Sequence, residues 1–323
     1  MALIFVGVAM LLFVACASPP VAEFTVTTDS GNAPFDVTFL LGELADADSY
    51  SWDFGDGSGS TDIEPTHSFE FTGDFVVTLT AARGDVVDTA ETTISVDAGK
   101  AGWVVIEQSQ SYVTSFNTVE FSASAFDVLG NQIEEPNFVW SVDESVGDID
   151  SNGKFTAATD LGLFKDAISV EFERLGTIAS ASAGIEIIEG PLNAFLVVPS
   201  VLDLQVGRSQ TITVQAVDEA GHVLDSALVL FTALRDEDTV DSTGLFKPST
   251  VASEEGVDLV GIEVELDGEL IEATISGTIH PGILDELHVS SLPTSLAIGE
   301  TYQISVRSTD RFGNDLESEE LNW

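Results

Sequence analysis

One tetrapeptide recurs along the chain at a nearly constant interval. Asp127-Val-Leu-Gly130, Asp218-Glu-Ala-Gly221 and Asp310-Arg-Phe-Gly313 lie 91 and 92 residues apart. The flanks keep register. Phe121, Ile212 and Ile304 correspond upstream, as do Ala123, Val214 and Val306, and Trp140, Phe231 and Trp323 each fall ten residues after the repeat glycine. A second turn repeats with it, Asp150-Ser-Asn-Gly-Lys-Phe155 against Asp241-Ser-Thr-Gly-Leu-Phe246, again 91 residues apart. Self-similarity at a fixed period makes each period one folding unit. A unit of about 90 residues has room for seven or so short strands around its own core, and the chain folds as several such units.

Within the units the pattern is that of strands. From Val21 onward, short alternating runs are broken by Gly, Asn, Asp and Pro, and no stretch keeps a helical period. Asp74-Phe-Val-Val-Thr-Leu-Thr-Ala81 places Phe75, Val77 and Leu79 on one face and Val76, Thr78 and Thr80 on the other. Thr211-Ile-Thr-Val-Gln-Ala216 does the same with Ile212, Val214 and Ala216. The recurring Trp140 and Phe231 set a large aromatic where a return strand faces the core. The fold class expected is all-β, as tandem immunoglobulin-like (Ig-like) β-sandwiches. Asp97-Ala-Gly-Lys-Ala-Gly102, Glu189-Gly-Pro191 and His280-Pro-Gly282 read as linkers.

Two resemblances sharpen this. Trp140-Ser-Val-Asp-Glu-Ser-Val-Gly-Asp-Ile-Asp-Ser-Asn-Gly-Lys-Phe-Thr-Ala157 resembles the bacterial Ig-like domains of surface proteins, over roughly residues 103–323. Tyr50-Ser-Trp-Asp-Phe-Gly-Asp-Gly57, Pro65-Thr-His-Ser-Phe69 and Gly73-Asp-Phe-Val-Val-Thr-Leu-Thr80 resemble the polycystic kidney disease (PKD) domain, an extracellular Ig-like sandwich, over residues 21–98. In that stretch Trp52 and Phe54 alternate on one strand face, and Gly55-Asp-Gly57 supplies the turn. The expected order is a signal segment 1–16, a tether 17–20, a PKD-like domain 21–98, Ig-like domains 103–189 and 193–281, and a partial one at 283–323. The last stops at Trp323 in mid-repeat, so a longer parent protein is expected.

Charge and the N-terminus bound the function. The chain has 55 acidic against 10 Lys and Arg residues, a net charge of −45. Such a surface repels phosphate backbones and anionic headgroups, which argues against nucleic-acid binding and electrostatic membrane docking. The apolar run Ala2–Ala15 suits a signal-peptide core. Phe13-Val-Ala-Cys16 resembles a bacterial lipobox, which implies lipidation of Cys16, the only cysteine. It departs at Phe13, where Leu is usual, and no Lys or Arg occurs before Arg83; an ordinary cleaved signal is the other reading. Membrane attachment is then expected only through a lipid anchor, at a cell surface or outer membrane, with secretion as the alternative.

Acidic clusters are the only candidate chemistry. Asp148-Ile-Asp150-Ser-Asn152-Gly153 matches the first half of a calcium loop, but position twelve is Thr159, which cannot chelate bidentately, and a plain hairpin turn is preferred. In the PKD-like stretch Asp46, Asp48, Asp53 and Asp56 lie close together. Members of the PKD family sometimes bind calcium, which makes these four a candidate site; the preferred reading has Asp53 and Asp56 hydrogen-bonding their own turn. His67 reads as a structural hydrogen-bonding residue, and His222, which holds the position of Asn131 and Asn314 in the sister repeats, as replaceable. No catalytic motif stands out, so no catalytic residue and no cofactor other than calcium is expected. The functional expectation is a non-catalytic display, adhesion or spacer protein that binds protein or polysaccharide. The alternative is an accessory region of an extracellular hydrolase whose catalytic domain lies beyond Trp323.

Overall fold

A computed structural model describes residues 18–43 and 45–316, and among them every regular element is a β-strand. Cys16, the expected lipidation site, and Trp323 lie outside the described residues. The chain gathers into two units. One comprises the residues up to Ser111 with Thr118–Thr156 and Phe164–Ile185; the other comprises Tyr112–Asn117, Ala157–Leu163 and the residues from Glu186 onward.

The first unit opens with a sandwich of two sheets. One is ordered Phe24–Val26, Phe35–Leu41, Thr66–Phe69; the other is ordered Ser30–Asn32, Val86–Asp97, Gly73–Arg83, Ser49–Asp53, Gly59–Ser60. The alternation read along Asp74–Ala81 is borne out: Val77, Leu79 and Ala81 are fully buried while Val76 is half exposed. Val37, Phe39, Phe69 and Ile94 fill the same core, with Trp52 and Phe54 against them. Trp52 meets Phe24 edge-on at 5.0 Å and Phe39 at 5.3 Å between ring centroids, and its Nε1–H donates to the Asp62 carbonyl at 2.9 Å. That bond satisfies the one polar atom of a ring whose burial contributes heavily to the core.

The same unit holds much of the next repeat. Ala101–Gln108 pairs antiparallel with Thr118–Asp127, and Phe138–Val142 with Ile168–Phe172. Trp140 and Phe138 pack from the half-buried rim onto Ala125, Val170 and Phe172. The aromatic expected at the return strand does face a core.

The second unit carries the corresponding elements of the following repeat. Ala194–Val198 pairs with Thr213–Val217, and a second sheet runs Leu202–Gln205, Glu269–His280, Val257–Leu266, Leu228–Ala233. Ile212, Phe246, Leu259, Val260, Ile262 and Ile279 form its core, with Phe231 packed against it. Leu284–Val289 pairs with Val306–Asp310 as a hairpin.

A topological signature links the units: a short strand runs parallel to the last strand of its repeat each time. Ser30–Asn32 lies beside Ser95–Asp97, Tyr112–Thr114 beside Glu186–Ile188, and Leu202–Gln205 beside Gly277–His280. The long hairpin strands, Gly73–Arg83 with Val86–Asp97 and Val257–Leu266 with Glu269–His280, pair antiparallel, the arrangement of Ig-like sandwiches.

Candidate functional site

The repeat tetrapeptide is far more than a turn. Asp127, Asp218 and Asp310 are at most 2% exposed, although a carboxylate is costly to bury without partners. Each has them. Asp127 Oδ1 accepts from the backbone N–H of Leu129 and Asn131 at 2.8 and 2.9 Å, and Oδ2 accepts from the Gly99 N–H and from Asn131 Nδ2, both at 2.8 Å. Asp310 repeats this with Phe312, Asn314, Gly282 and Asn314 Nδ2 at 2.8, 3.0, 2.7 and 2.8 Å. Asp218 accepts from the His222 N–H, from Gly190 and from His222 Nδ1, each at 2.9 Å. Gly130, Gly221 and Gly313 take φ of 94°, 89° and 87°, which closes the loop in a conformation that costs an L-residue strain.

Burial alone would raise these carboxyls. The donors outweigh it. Asn131 with Gly99 and Leu129 holds Asp127 below the usual carboxylate range, Gly190 and His222 do so for Asp218, and Asn314 with Gly282 brings Asp310 to about 2.

At the first and third joints the fifth residue of the loop then reaches the loop that precedes the long hairpin of the previous repeat. Asn131 Nδ2 donates to the Glu70 carbonyl at 2.8 Å, and its Oδ1 accepts from the Thr72 N–H at 3.4 Å. Asn314 donates to the Thr250 carbonyl at 2.7 Å and accepts from the Ala252 N–H at 2.9 Å. At the middle position His222 stands in place of the asparagine, its ring nitrogen Nδ1 2.9 Å from Asp218 Oδ2. At the first and third joints one carboxylate therefore ties together three things: its own loop, the linker glycine, and a side chain that grips the preceding repeat. At the first joint Arg174 adds a bond from its Nε to the Ala98 carbonyl at 3.2 Å.

The His222 ring makes to Asp218 the bond that Asn131 and Asn314 make to their own aspartates at the same position. A signal for the joint was present in the sequence. Gly99, Gly190 and Gly282 each precede their aspartate by 28 residues. The three stretches containing them read only as linkers because nothing local shows where a glycine N–H points.

The acidic residues of the first sandwich have other partners. Arg83 binds Asp46 at 2.7 Å and Asp48 at 3.4 Å, and also donates to the Ser18 carbonyl at 2.6 Å. Asp53 accepts from the Gly55 N–H at 2.9 Å. Asp56 accepts from the Ser58 N–H at 2.9 Å and lies 2.6 Å from His67 Nε2, whose ring stacks on Phe54 with centroids 4.2 Å apart. Asp46 and Asp48 thus share a cation, while Asp53 and Asp56 each serve the turn. Among the described residues no three or more His, Cys, Asp or Glu side chains converge to hold a metal ion.

The loop at 148–153 is likewise a turn: Asp150 Oδ1 accepts from the Asn152 and Lys154 N–H groups at 2.8 and 3.0 Å. Asp241 Oδ1 does the same with Thr243 and Leu245 at 2.9 and 3.2 Å.

No curated protein matches the chain. Among solved structures it is similar to the Escherichia coli adhesin FdeC, at 13% identity over 80% of this chain and 98% of that one, with a TM-score of 0.48. It is similar to the surface layer protein SbsC at 13% identity over 92% of this chain and 44% of that one, TM-score 0.27. Drosophila N-cadherin EC1-4 aligns at 13% identity over 82% and 74%, TM-score 0.39. Residues 17–98, which hold the first sandwich with its Trp52-Asp-Phe-Gly-Asp-Gly57 turn, match the PKD domain family.

Proposed function

We propose that this chain is a non-catalytic surface protein in which successive sandwiches form a jointed spacer that displays an adhesive surface to a protein or polysaccharide partner. One observation carries the reading: a buried carboxylate recurs three times, each time committed to the linker, and twice to an asparagine that grips the repeat before it. Sandwiches that merely happened to be tethered would need no such group. Short Gly and Pro linkers alone leave domains free to reorient. The acidic surface keeps such an array soluble and separate from anionic envelope polymers. Export and anchoring through a lipidated Cys16 belong to the same reading, with radioactive palmitate incorporation lost in Cys16→Ser as their check.

The test is a distance distribution between spin labels at Thr89→Cys and Glu173→Cys in a Cys16→Ser chain, all three positions being read from the sequence. A jointed spacer gives one narrow distance that broadens in Asn131→Ala. A broad distribution in the parent chain rejects the spacer.

A further inference from the structure

The turn at Asp150–Phe155 and the strand Phe138–Val142 border a cleft of about 440 Å³ in the first unit. Lys154–Ala157 pairs with Thr118–Glu120, and the Phe121 N–H still reaches the Gly153 carbonyl at 2.9 Å, but the longer strand runs on past the turn, and the cleft opens there. Half-buried Phe138 and Trp140, with ring centroids 6.3 Å apart, supply its aromatic surface; Ser122, Asn137, Ser151 and Asn152, all exposed, supply its polar one. A second hollow of about 370 Å³ shares Ser122 and Asn152 with it and runs on to Glu107 and Glu120. The two make one groove.

The polar groups of the cleft are uncommitted. None of the four polar side chains bonds another described residue; Asn152 gives only its backbone N–H, to Asp150. The Trp140 Nε1–H is likewise unbonded among the described residues and is not buried, whereas Trp52 commits its own to the Asp62 carbonyl. The following repeat keeps the frame and not this lining. Ninety-one residues on, Leu228 stands for Asn137 and Phe231 for Trp140, while Thr213 and Thr243 stand for Ser122 and Asn152. Those two hydroxyls are occupied, by the Val198 carbonyl at 3.2 Å and by Asp241 at 2.6 Å. A sandwich of this kind therefore needs an aromatic ring at the position of Trp140, but neither an indole N–H nor two free amides beside it. Packing does not account for them.

We propose that this groove binds a neutral oligosaccharide, with Phe138 and Trp140 meeting the sugar rings and Asn137 and Asn152 their hydroxyls. A pyranose carries C–H bonds on its faces and hydroxyls around its rim. The electron-rich face of an aromatic ring attracts the first, and an amide, which both donates and accepts, matches the second. The volume falls within the span of about 300–1,000 Å³ usual for small-molecule sites, and the adjoining hollow lengthens it, which suits an oligomer better than a single ring. Charge selects the class. Glu107 and Glu120 at one end, on a chain of net charge −45, repel uronate and sulfate polymers. A protein partner would be met by a broader surface with an apolar centre, whereas here the exposed lining is polar apart from two rings.

This inference rests on the adhesive part of the spacer reading, and its experiment separates the two. The full chain, with Cys16→Ser, is applied to an array of neutral glucan, mannan and galactan hexasaccharides beside oligogalacturonates, and to a peptide array in parallel. Retention on a neutral member is expected, with its affinity then measured by calorimetry. Asn137→Ala and Asn152→Ala should each weaken it about tenfold, the loss of one good hydrogen bond, and leave the melting temperature unchanged because both residues are exposed. Trp140→Phe, which keeps a ring on the core, should weaken it as well. Retention on no neutral member, retention on the acidic members alone, or an affinity that both asparagine variants leave intact overturns the proposal. Retention on peptides alone, lost in Asn137→Ala, assigns the cleft to a protein and overturns it too. The spacer is read independently from the distance between Thr89→Cys and Glu173→Cys: a narrow peak with no glycan retained rejects the cleft and leaves the spacer standing, and a broad one with a neutral glycan retained does the reverse.

Discussion

Four aspartates crowded into eleven residues, Asp46, Asp48, Asp53 and Asp56, contrast with three that stand about ninety residues apart, Asp127, Asp218 and Asp310. The crowded set looks like a site in the sequence, yet two of its members share Arg83 and the other two serve their own turn. Each scattered aspartate is buried and joins its loop to a linker, and Asp127 and Asp310 also hold an asparagine that bonds the repeat before it. Proximity in sequence is a property of the chain, whereas a site needs donors that converge in space. Recurrence at a fixed period was the better guide, because a residue that returns at the same place in every repeat occupies the same environment each time.

Asp127→Ala should test this contrast most strongly. It leaves the Gly99, Leu129 and Asn131 donors without an acceptor, and unmade bonds to a charged group cost about 1.5–3 kcal/mol each before relaxation. A loss of about 3 kcal/mol or more in urea denaturation is expected, against under about 1 kcal/mol for Asp53→Asn, where the turn is exposed. Equal losses would erase the distinction.

A second comparison sets two turn glycines side by side. Gly153 and Gly221 take φ of 84° and 89°, so Ala costs each about 1–2 kcal/mol in backbone strain. A Cβ at Gly153 would also strike the Phe121 carbonyl oxygen, while one at Gly221 meets nothing within 4 Å. Gly153→Ala should therefore lower the melting temperature further than Gly221→Ala.

Acid should sharpen the contrast through the joint aspartates. Their folded pKa values lie below the unfolded one, so their contribution is complete above about 3.9 and is lost as pH falls through the folded value. For Asp310 that loss extends down to about 2. Between pH 5 and 2, the stability difference between the parent chain and Asp127→Asn should shrink, measured by urea titration at each pH.

The smallest effect belongs to divalent cations. We expect calcium, magnesium and sodium chloride, matched in ionic strength, to raise the melting temperature of the first sandwich equally over a low-salt buffer, because screening depends on ionic strength and not on the ion's identity. A saturable rise with calcium alone, removed by Asp53→Asn or Asp56→Asn, would turn the crowded aspartates into a binding site after all.

Much of the architecture was legible in the residues. Alternation along Asp74–Ala81 and Thr211–Ala216 is a local property, since neighbouring side chains on a strand must point to opposite faces, and it placed Val77, Leu79, Ile212 and Ala216 inside. The turn at Asp150–Phe155 was legible for the same reason, its bonds lying within four residues. Arg83 stood just beyond the acidic stretch, but its pairing with Asp46 and Asp48 spans 37 and 35 residues and depends on strand register.

The sequence by itself determined that the chain is a series of all-β units with a period near ninety residues, because period and alternation are written in nearest neighbours. Only the tertiary structure decided what the repeated aspartate is for. Its linker partner is 28 residues away, and the partner of Asn131 lies 61 residues away in the preceding sandwich. Such pairings are set by how the strands are stacked, and a hydrogen bond is directional over about 3 Å. A tetrapeptide that closes a turn on itself and one that also holds two domains together are therefore spelled alike.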